Sequence, residues 1–311
     1  MPRQGDEAAK LSYYFSEAFS VANELELQLQ RLVALGEAAL LQWQQGQASS
    51  AETDWQASAW RWRSRMGGGY LQPVRQPHQV ALDDLKNVEA QKQCLLTNTR
   101  QFVAGLPANN VLLTGARGTG KSSLVKAVWQ ACRADGLKLI EVEKTHLYDL
   151  PEIVELVSGR PEQFLIFCDD LSFEEGDHGY QGLKTVLDGS IAGPSANVLI
   201  YATSNRRHLV PEYFSENAAT RYEGGEIHFA EAVEEKIALS ERFGIWLSFS
   251  SFSQDEYLRA VAHWLAVLGP APWDAEVQRE ALLWAHTRGA RSGRIAWQFV
   301  RDYLGRRGLA Q

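Results

Sequence analysis

Hydrophobic positions change period three times along the chain. Over residues 8–41, Leu11, Tyr14, Phe15, Ala18, Ala22, Leu25, Leu29 and Leu32 recur at helical spacing, which predicts one long amphipathic helix. The Gln-rich stretch Gln42–Ser50 reads as a loop. Beyond it, Trp55, Ala59, Trp62 and Met66 fall in steps of four and three, predicting a second, short helix that Gly67, Gly68 and Gly69 end. Pro73 and Pro77 then favour extended chain. From there short apolar runs alternate with helical segments: Asn110–Thr114, Leu137–Val142, Phe164–Cys168, Val198–Thr203 and Ile245–Phe249. Five buried strands separated by helices predict an α/β fold, a five-stranded parallel sheet with helices on both faces. After Ser250 the strands stop. Three helices are predicted there, over Gln254–Leu268, Asp274–His286 and Arg294–Leu304, the first opened by a Ser253/Glu256 capping box. The expected organisation is a helical region over 1–66, a linker over 67–81, an α/β domain over 82–250 and an all-helical domain over 251–311.

Composition narrows the class without naming a function. The 311 residues are 45% hydrophobic and 22% charged, which excludes a disordered or collagen-like chain. No run approaches the roughly 18 to 20 apolar residues that a membrane span needs. Asp6, Glu7 and Lys10 precede any apolar run, unlike a secretory signal. Cys94, Cys132 and Cys168 are odd in number and lack metal spacing, so buried thiols in a reducing cytoplasm are expected. A net charge of -7 argues against bulk attraction to nucleic acid but leaves room for a local basic site.

Chemistry enters at Gly115, Ala116, Arg117, Gly118, Thr119, Gly120, Lys121, Ser122 and Ser123. This run fits GxxxxGK[ST], follows an apolar strand and precedes an apolar-periodic helix, the setting that gives the motif its meaning. Its glycines let backbone N–H groups close around a β-phosphate at the positive end of the next helix. Lys121 is placed to neutralise the β- and γ-phosphates, and Ser122 to offer a hydroxyl to Mg²⁺. The expected ligand is a nucleoside triphosphate.

The run Phe164–Cys168 ends in Asp169 and Asp170. A carboxylate at such a strand end can hold Mg²⁺, and Asp169 is assigned that role. Asp170 stands where a glutamate commonly polarises the attacking water. It is one methylene shorter, and Glu174 or Glu175 remain alternatives.

The pieces then follow in order: Val198–Asn205, Leu239-Ser-Glu-Arg242-Phe-Gly, and Arg291-Ser-Gly-Arg294. From about Leu82 to Leu304 the chain resembles an AAA+ ATPase. FCDDLSFEE, ATSNRRHLVPE, LSERFGIWLSF and SGRIAWQFV look more narrowly like a bacterial AAA+ family catalogued only as a domain of unknown function. The resemblance implies ATP and Mg²⁺ as cofactors. It makes Asn205 the residue that orients water, Arg242 a finger reaching a neighbour's γ-phosphate, and Arg294 a contact from the helical lid, with Arg291 as runner-up. Val88, in a segment where Asn87 replaces the family's Gly, becomes a wall of the adenine pocket or an ordinary core residue.

An arginine finger acting between subunits implies a homo-oligomer, a ring or spiral of six by resemblance, that remodels a protein client. Tyr148 is a candidate pore residue, against the alternative of packing where the next helix starts. The second functional class is a slowly hydrolysing, ATP-gated adaptor or loader on nucleic acid. Its motivation is the run Trp60-Arg-Trp-Arg-Ser-Arg65 and the basic C-terminal segment. The competing reading buries the tryptophans and leaves the arginines in water.

Overall fold

The computed structural model describes residues 28–38, 53–65, 68–173, 179–189, 195–205, 240–269 and 271–309. The chain divides into two compact units, Met1–Thr53 and Asp54–Gln311. In the first, residues 28–38 form a helix, α1, with Leu29, Leu32, Val33 and Leu35 exposed. The rest of the helix expected over 8–41 lies outside the described residues.

Among its described residues the second unit is built on a sheet of seven strands in the order β2-β1-β4-β5-β6-β3-β7. Five are the expected ones: β3 (Val111–Gly115), β4 (Leu137–Val142), β5 (Gln163–Cys168), β6 (Val198–Ser204) and β7 (Ile245–Phe249). All five pair in parallel. Helix α2 (Glu89–Val103) precedes them in the chain, and α3 (Lys121–Cys132), α4 (Leu150–Ser158) and α5 (Gly179–Asp188) lie between them. Separate apolar cores fill the two faces, one around Ile140, Ile166 and Phe173, the other around Val128, Leu165 and Tyr201.

The expected five-stranded sheet and short N-terminal helix are both corrected here. The segment read as a helix is strand β1 (Ala59–Arg65), which pairs in parallel with β4 and turns back into β2 (Gly68–Pro73). The physical reason is visible in WRWRSR. Trp60 and Trp62 are 0% exposed in the same core, while Arg61 and Arg63 bond Glu141 and Glu143 on β4 and just beyond it. Alternation of period two outweighs the weaker four-and-three stripe. Gly69 serves the hairpin, because a Cβ there would stand 1.7 Å from the Trp62 ring. The expected linker residues 68–73 are thus edge strand.

The C-terminal helices are α6 (Gln254–Leu268), α7 (Ala275–Thr287) and α8 (Gly293–Leu309), packed around Tyr257, Leu265 and Phe299. The Ser253/Glu256 capping box is present, with Ser253 Oγ accepting from the Glu256 N–H at 3.2 Å and Glu256 Oε2 accepting from Ser253 N at 2.7 Å. Among the described residues no helix is long and apolar enough to cross a membrane.

Candidate functional site

Strand β6 lies between β3 and β5, so the carboxyl ends of three strands converge. That order brings residues far apart in sequence to one edge, the usual place for a ligand on a parallel α/β sheet. The loop from Gly115 to Gly120 leaves β3 and enters α3 at Lys121. Its turns require positive φ: 132° at Gly115, 77° at Gly118 and 103° at Gly120. Gly115 is also a point of close approach, since a Cβ there would meet the Phe249 carbonyl oxygen at 2.0 Å.

Lys121 is 5% exposed, and its ammonium donates to Gly115 O at 2.7 Å, Ala116 O at 2.8 Å and Asn205 Oδ1 at 3.0 Å. Burial pulls its pKa down to about 8 against the opposing pull of Asp170 and Asp169, with Arg294 and Arg117 adding to the fall. Ser122 Oγ donates to Asp169 Oδ1 at 2.6 Å. Thr119 is buried and donates its hydroxyl to Ala116 O at 2.8 Å, which stiffens the loop. Arg117 is exposed on the loop, and Ser123 is half-buried on the first turn of α3.

The acidic pair is split by backbone geometry. Asp169 Oδ1 accepts from Ser122, from Thr203 Oγ1 at 2.5 Å and from the Asp170 N–H at 3.2 Å. Asp170 has φ 53°, a left-handed conformation that costs a non-glycine residue energy and sets it apart from an ordinary strand end. Its carboxylate accepts a hydrogen bond from Asn205 Nδ2. Two chains result, Ser122–Asp169–Thr203 and Lys121–Asn205–Asp170, side by side at the sheet edge. The oxygens of Ser122 and Asp169 are the donor type that a hard divalent cation takes, usually completed by water and phosphate.

Thr203 was not singled out by sequence reasoning. Buried at 1%, its hydroxyl gives its proton to Asp169 and accepts from the Asp170 N–H at 2.9 Å, so one side chain ties the first carboxylate to the backbone of the second acid. The signal was alternation: Thr203 lies two residues before Asn205, which directly follows β6. Glu174 and Glu175 lie outside the described residues.

The other expected residues fall at the margins of this cluster. Arg294 is exposed at the start of α8, and its backbone N–H donates to Gly118 O at 3.2 Å. Arg291 is exposed, and its carbonyl accepts from Phe252 N at 3.1 Å. Val88 is 4% exposed within the core, yet it also walls a recess of ≈ 180 Å³ with Asn87, Phe249 and Phe252. The core reading is the one its burial supports. Arg242 precedes β7 and donates Nε–H to Asp188 at the end of α5. Tyr148 sits in a 3-10 turn, Lys144–Asp149, and is 65% exposed, so it does not pack where α4 starts. A Cβ on Gly182 of α5 would stand 2.9 Å from the Tyr148 Cα, so that glycine lets α5 close on the turn.

The described cysteines are free thiols, and burial pushes Cys168 up to about 12, which makes it a poor nucleophile. Trp60 and Trp62 are enclosed by the fold and cannot stack on bases. In the basic C-terminal segment, Arg306 pairs with Glu280 at 2.5 Å and Asp302 at 2.8 Å, while Arg301 lies 4.6 Å above the Trp297 ring.

The phosphate-loop sequence, the strand-end acids and the C-terminal helices thus stand on one α/β fold, whose mostly parallel sheet has helices on both faces. Among solved structures, a RuvB variant from Thermotoga maritima is similar at 14% identity and TM-score 0.48, covering 71% of this chain and 63% of its own. The ORC1 protein of Aeropyrum pernix, solved in complex with DNA, is similar at 17% identity and TM-score 0.49, covering 74% and 62%. The FIGL-1 AAA domain in complex with ADP is similar at 15% identity and TM-score 0.44, covering 73% and 85%. This chain thus spans less than two thirds of the length of the RuvB variant and of ORC1. No curated protein matches it. The profile of one family matches residues 55–307, and the chain belongs to that family, described as "Protein of unknown function (DUF815)".

Proposed function

We propose that this protein binds ATP with Mg²⁺ and hydrolyses it in an oligomeric ring or spiral, using the cycle to remodel a protein partner. The observation that carries the reading is the pair of adjacent chains, Ser122–Asp169–Thr203 and Lys121–Asn205–Asp170, at the end of the phosphate-loop strand. Phosphate-binding, cation-binding and water-orienting side chains stand next to one another there. Mg²⁺ would be held by Ser122 and Asp169 and would neutralise charge on the nucleotide. Asp170 and Asn205 are the residues we assign to the attacking water. Arg294 is assigned to the phosphates from the lid.

Arg242 is assigned to a neighbouring subunit's γ-phosphate, where a planar, permanently charged fork stabilises developing charge. In the single chain its Nε–H is taken by Asp188. The cytoplasm is the compartment that fits the free thiols. The nucleic-acid reading loses its main motivation, because the tryptophans of the Trp-Arg run are buried in the core.

The test is ATP turnover per subunit across a wide range of protein concentration. Turnover should rise as subunits associate, and Arg242→Ala should abolish it while nucleotide binding persists. A flat, measurable rate that survives Arg242→Ala would refute catalysis between subunits. Absence of ATP binding would refute the whole reading.

A further inference from the structure

We propose that Asn87 is the latch that holds the lid helix α6 against the nucleotide-binding core, and that it thereby sets how long a nucleotide stays bound. Asn87 has φ 65°, in the left-handed region where glycine is the default residue and asparagine the best substitute. Glycine would satisfy that backbone and do nothing more. Asparagine adds a carboxamide whose two ends are both used on the lid. Its Nδ2 donates to Glu256 O at 2.9 Å, and its Oδ1 accepts from Arg259 Nε at 3.2 Å.

The neighbouring chain strengthens the latch. Asp84 lies three residues earlier, and its carboxylate meets His263 Nε2 at 3.1 Å. Glu256, Arg259 and His263 follow one another at steps of three and four, so they share one face of α6. The segment from Asp84 to Asn87 therefore runs along that face and bonds it at both ends.

On its other side the same segment reaches the phosphate loop. The Leu85 Cδ2 lies 3.8 Å from where a Cβ on Gly120 would stand, directly before Lys121. Asn87 and Glu256 also wall the ≈ 180 Å³ recess beside Val88 and Phe252. One short strap thus touches the lid, the loop and the recess. A lid that swings about this strap carries Arg294 with it, because α6 and α8 share one apolar core.

Asn87→Gly is the informative variant: it tolerates the left-handed backbone and removes the side chain that carries the carboxamide. In the nucleotide-free full chain, amide hydrogen exchange over Gln254–His263 should speed up about fivefold, the effect of losing a modest hydrogen-bonded contact. Dissociation of fluorescent ADP should quicken by a similar factor with association unchanged. Unaltered exchange over that stretch would overturn the latch. The release measurement rests on the proposed nucleotide function, whereas the exchange measurement does not. Failure of the wild type to bind ADP would therefore sink the function and leave the latch judged by exchange alone. Faster exchange with unchanged ADP release would overturn the claim that the latch sets residence time.

Discussion

If Lys121 holds the phosphates as proposed, nucleotide binding is a proton-linked event. Its pKa lies at about 8 in the free protein, below the ordinary 10.5, because burial penalises the charged form more than Asp170 and Asp169 favour it. A bound polyphosphate adds negative charge beside the ammonium and pushes the pKa back up. The bound state therefore holds more protons than the free state at any pH above about 7. By linkage, affinity is full below the free-state pKa and falls as pH rises through it. With a free value of about 8 and a bound value near or above the ordinary one, affinity drops about tenfold between pH 7 and pH 9. Proton uptake per nucleotide rises over the same interval from about one tenth to about nine tenths. Calorimetric titration with ADP in two buffers of different ionisation enthalpy reads that uptake directly. Phosphate groups with pKa values of about 6 contribute little above pH 7. Lys121→Arg supplies the control, since a guanidinium stays charged throughout. Uptake that stays near zero at pH 9, or that persists undiminished in Lys121→Arg, would refute the assignment of the linkage to this side chain.

Three further outcomes are expected. Thr203→Val keeps the shape of a buried side chain but removes the hydroxyl shared by Asp169 and Asp170 N; turnover should fall roughly 10- to 100-fold, about 1.4 to 2.7 kcal/mol, with ADP affinity changed by less than about threefold. Equal loss in binding and turnover would mean that the threonine supports the loop and not the acids. Gly115→Ala places a methyl 2.0 Å from the Phe249 carbonyl oxygen at φ 132°, so the denaturation midpoint should drop by the equivalent of about 3 kcal/mol at unchanged slope; a loss under about 1 kcal/mol would contradict the close approach. Trp62→Ala empties a fully buried position and should cost about 3–5 kcal/mol; an unaltered melting temperature would show that the hairpin is not part of the fold.

The sheet was legible in part because its buried strands are short apolar runs bounded by helical segments, a pattern carried locally by each run. All five such runs became strands, two of them, Leu137–Val142 and Ile245–Phe249, with the expected bounds. The β1–β2 hairpin was not legible as an element of that sheet. Its first strand joins β4 in parallel across about eighty residues, with Ala59 beside Leu139 and Arg61 beside Glu141. Nothing local to the tryptophans announces that pairing. Trp55 and Met66 extended a helical stripe through what is a period-two strand. Ion pairing finally fixes which side is which, since Arg61 Nε and Nη2 reach Glu141 at 2.9 and 2.8 Å.

The site divides along the same line. The phosphate loop is a local constraint of glycine conformations and one lysine, and a sequence states it outright. Partnerships across strands depend on register. Cys168 stands beside Ala202, so Asp169 follows beside Thr203, and Thr114 stands beside Ser204, so the loop begins beside Asn205. Those two registers, neither written in any single run, decide that Asn205 bridges Lys121 and Asp170. The bridge has a mechanical consequence. An ammonium has three protons to donate, and here all three are committed, to two loop carbonyls and to Asn205. A phosphate oxygen cannot engage Lys121 without displacing one of them. The Asn205 contact crosses to another strand, while the two carbonyls belong to the loop that already curls around the lysine. Exchange of Asn205 for phosphate is therefore the change that disturbs the loop least, and it frees the carboxamide oxygen at the side chain that also holds Asp170. If the loop takes phosphate as proposed, its occupancy and the disposition of Asp170 would be coupled through this one asparagine.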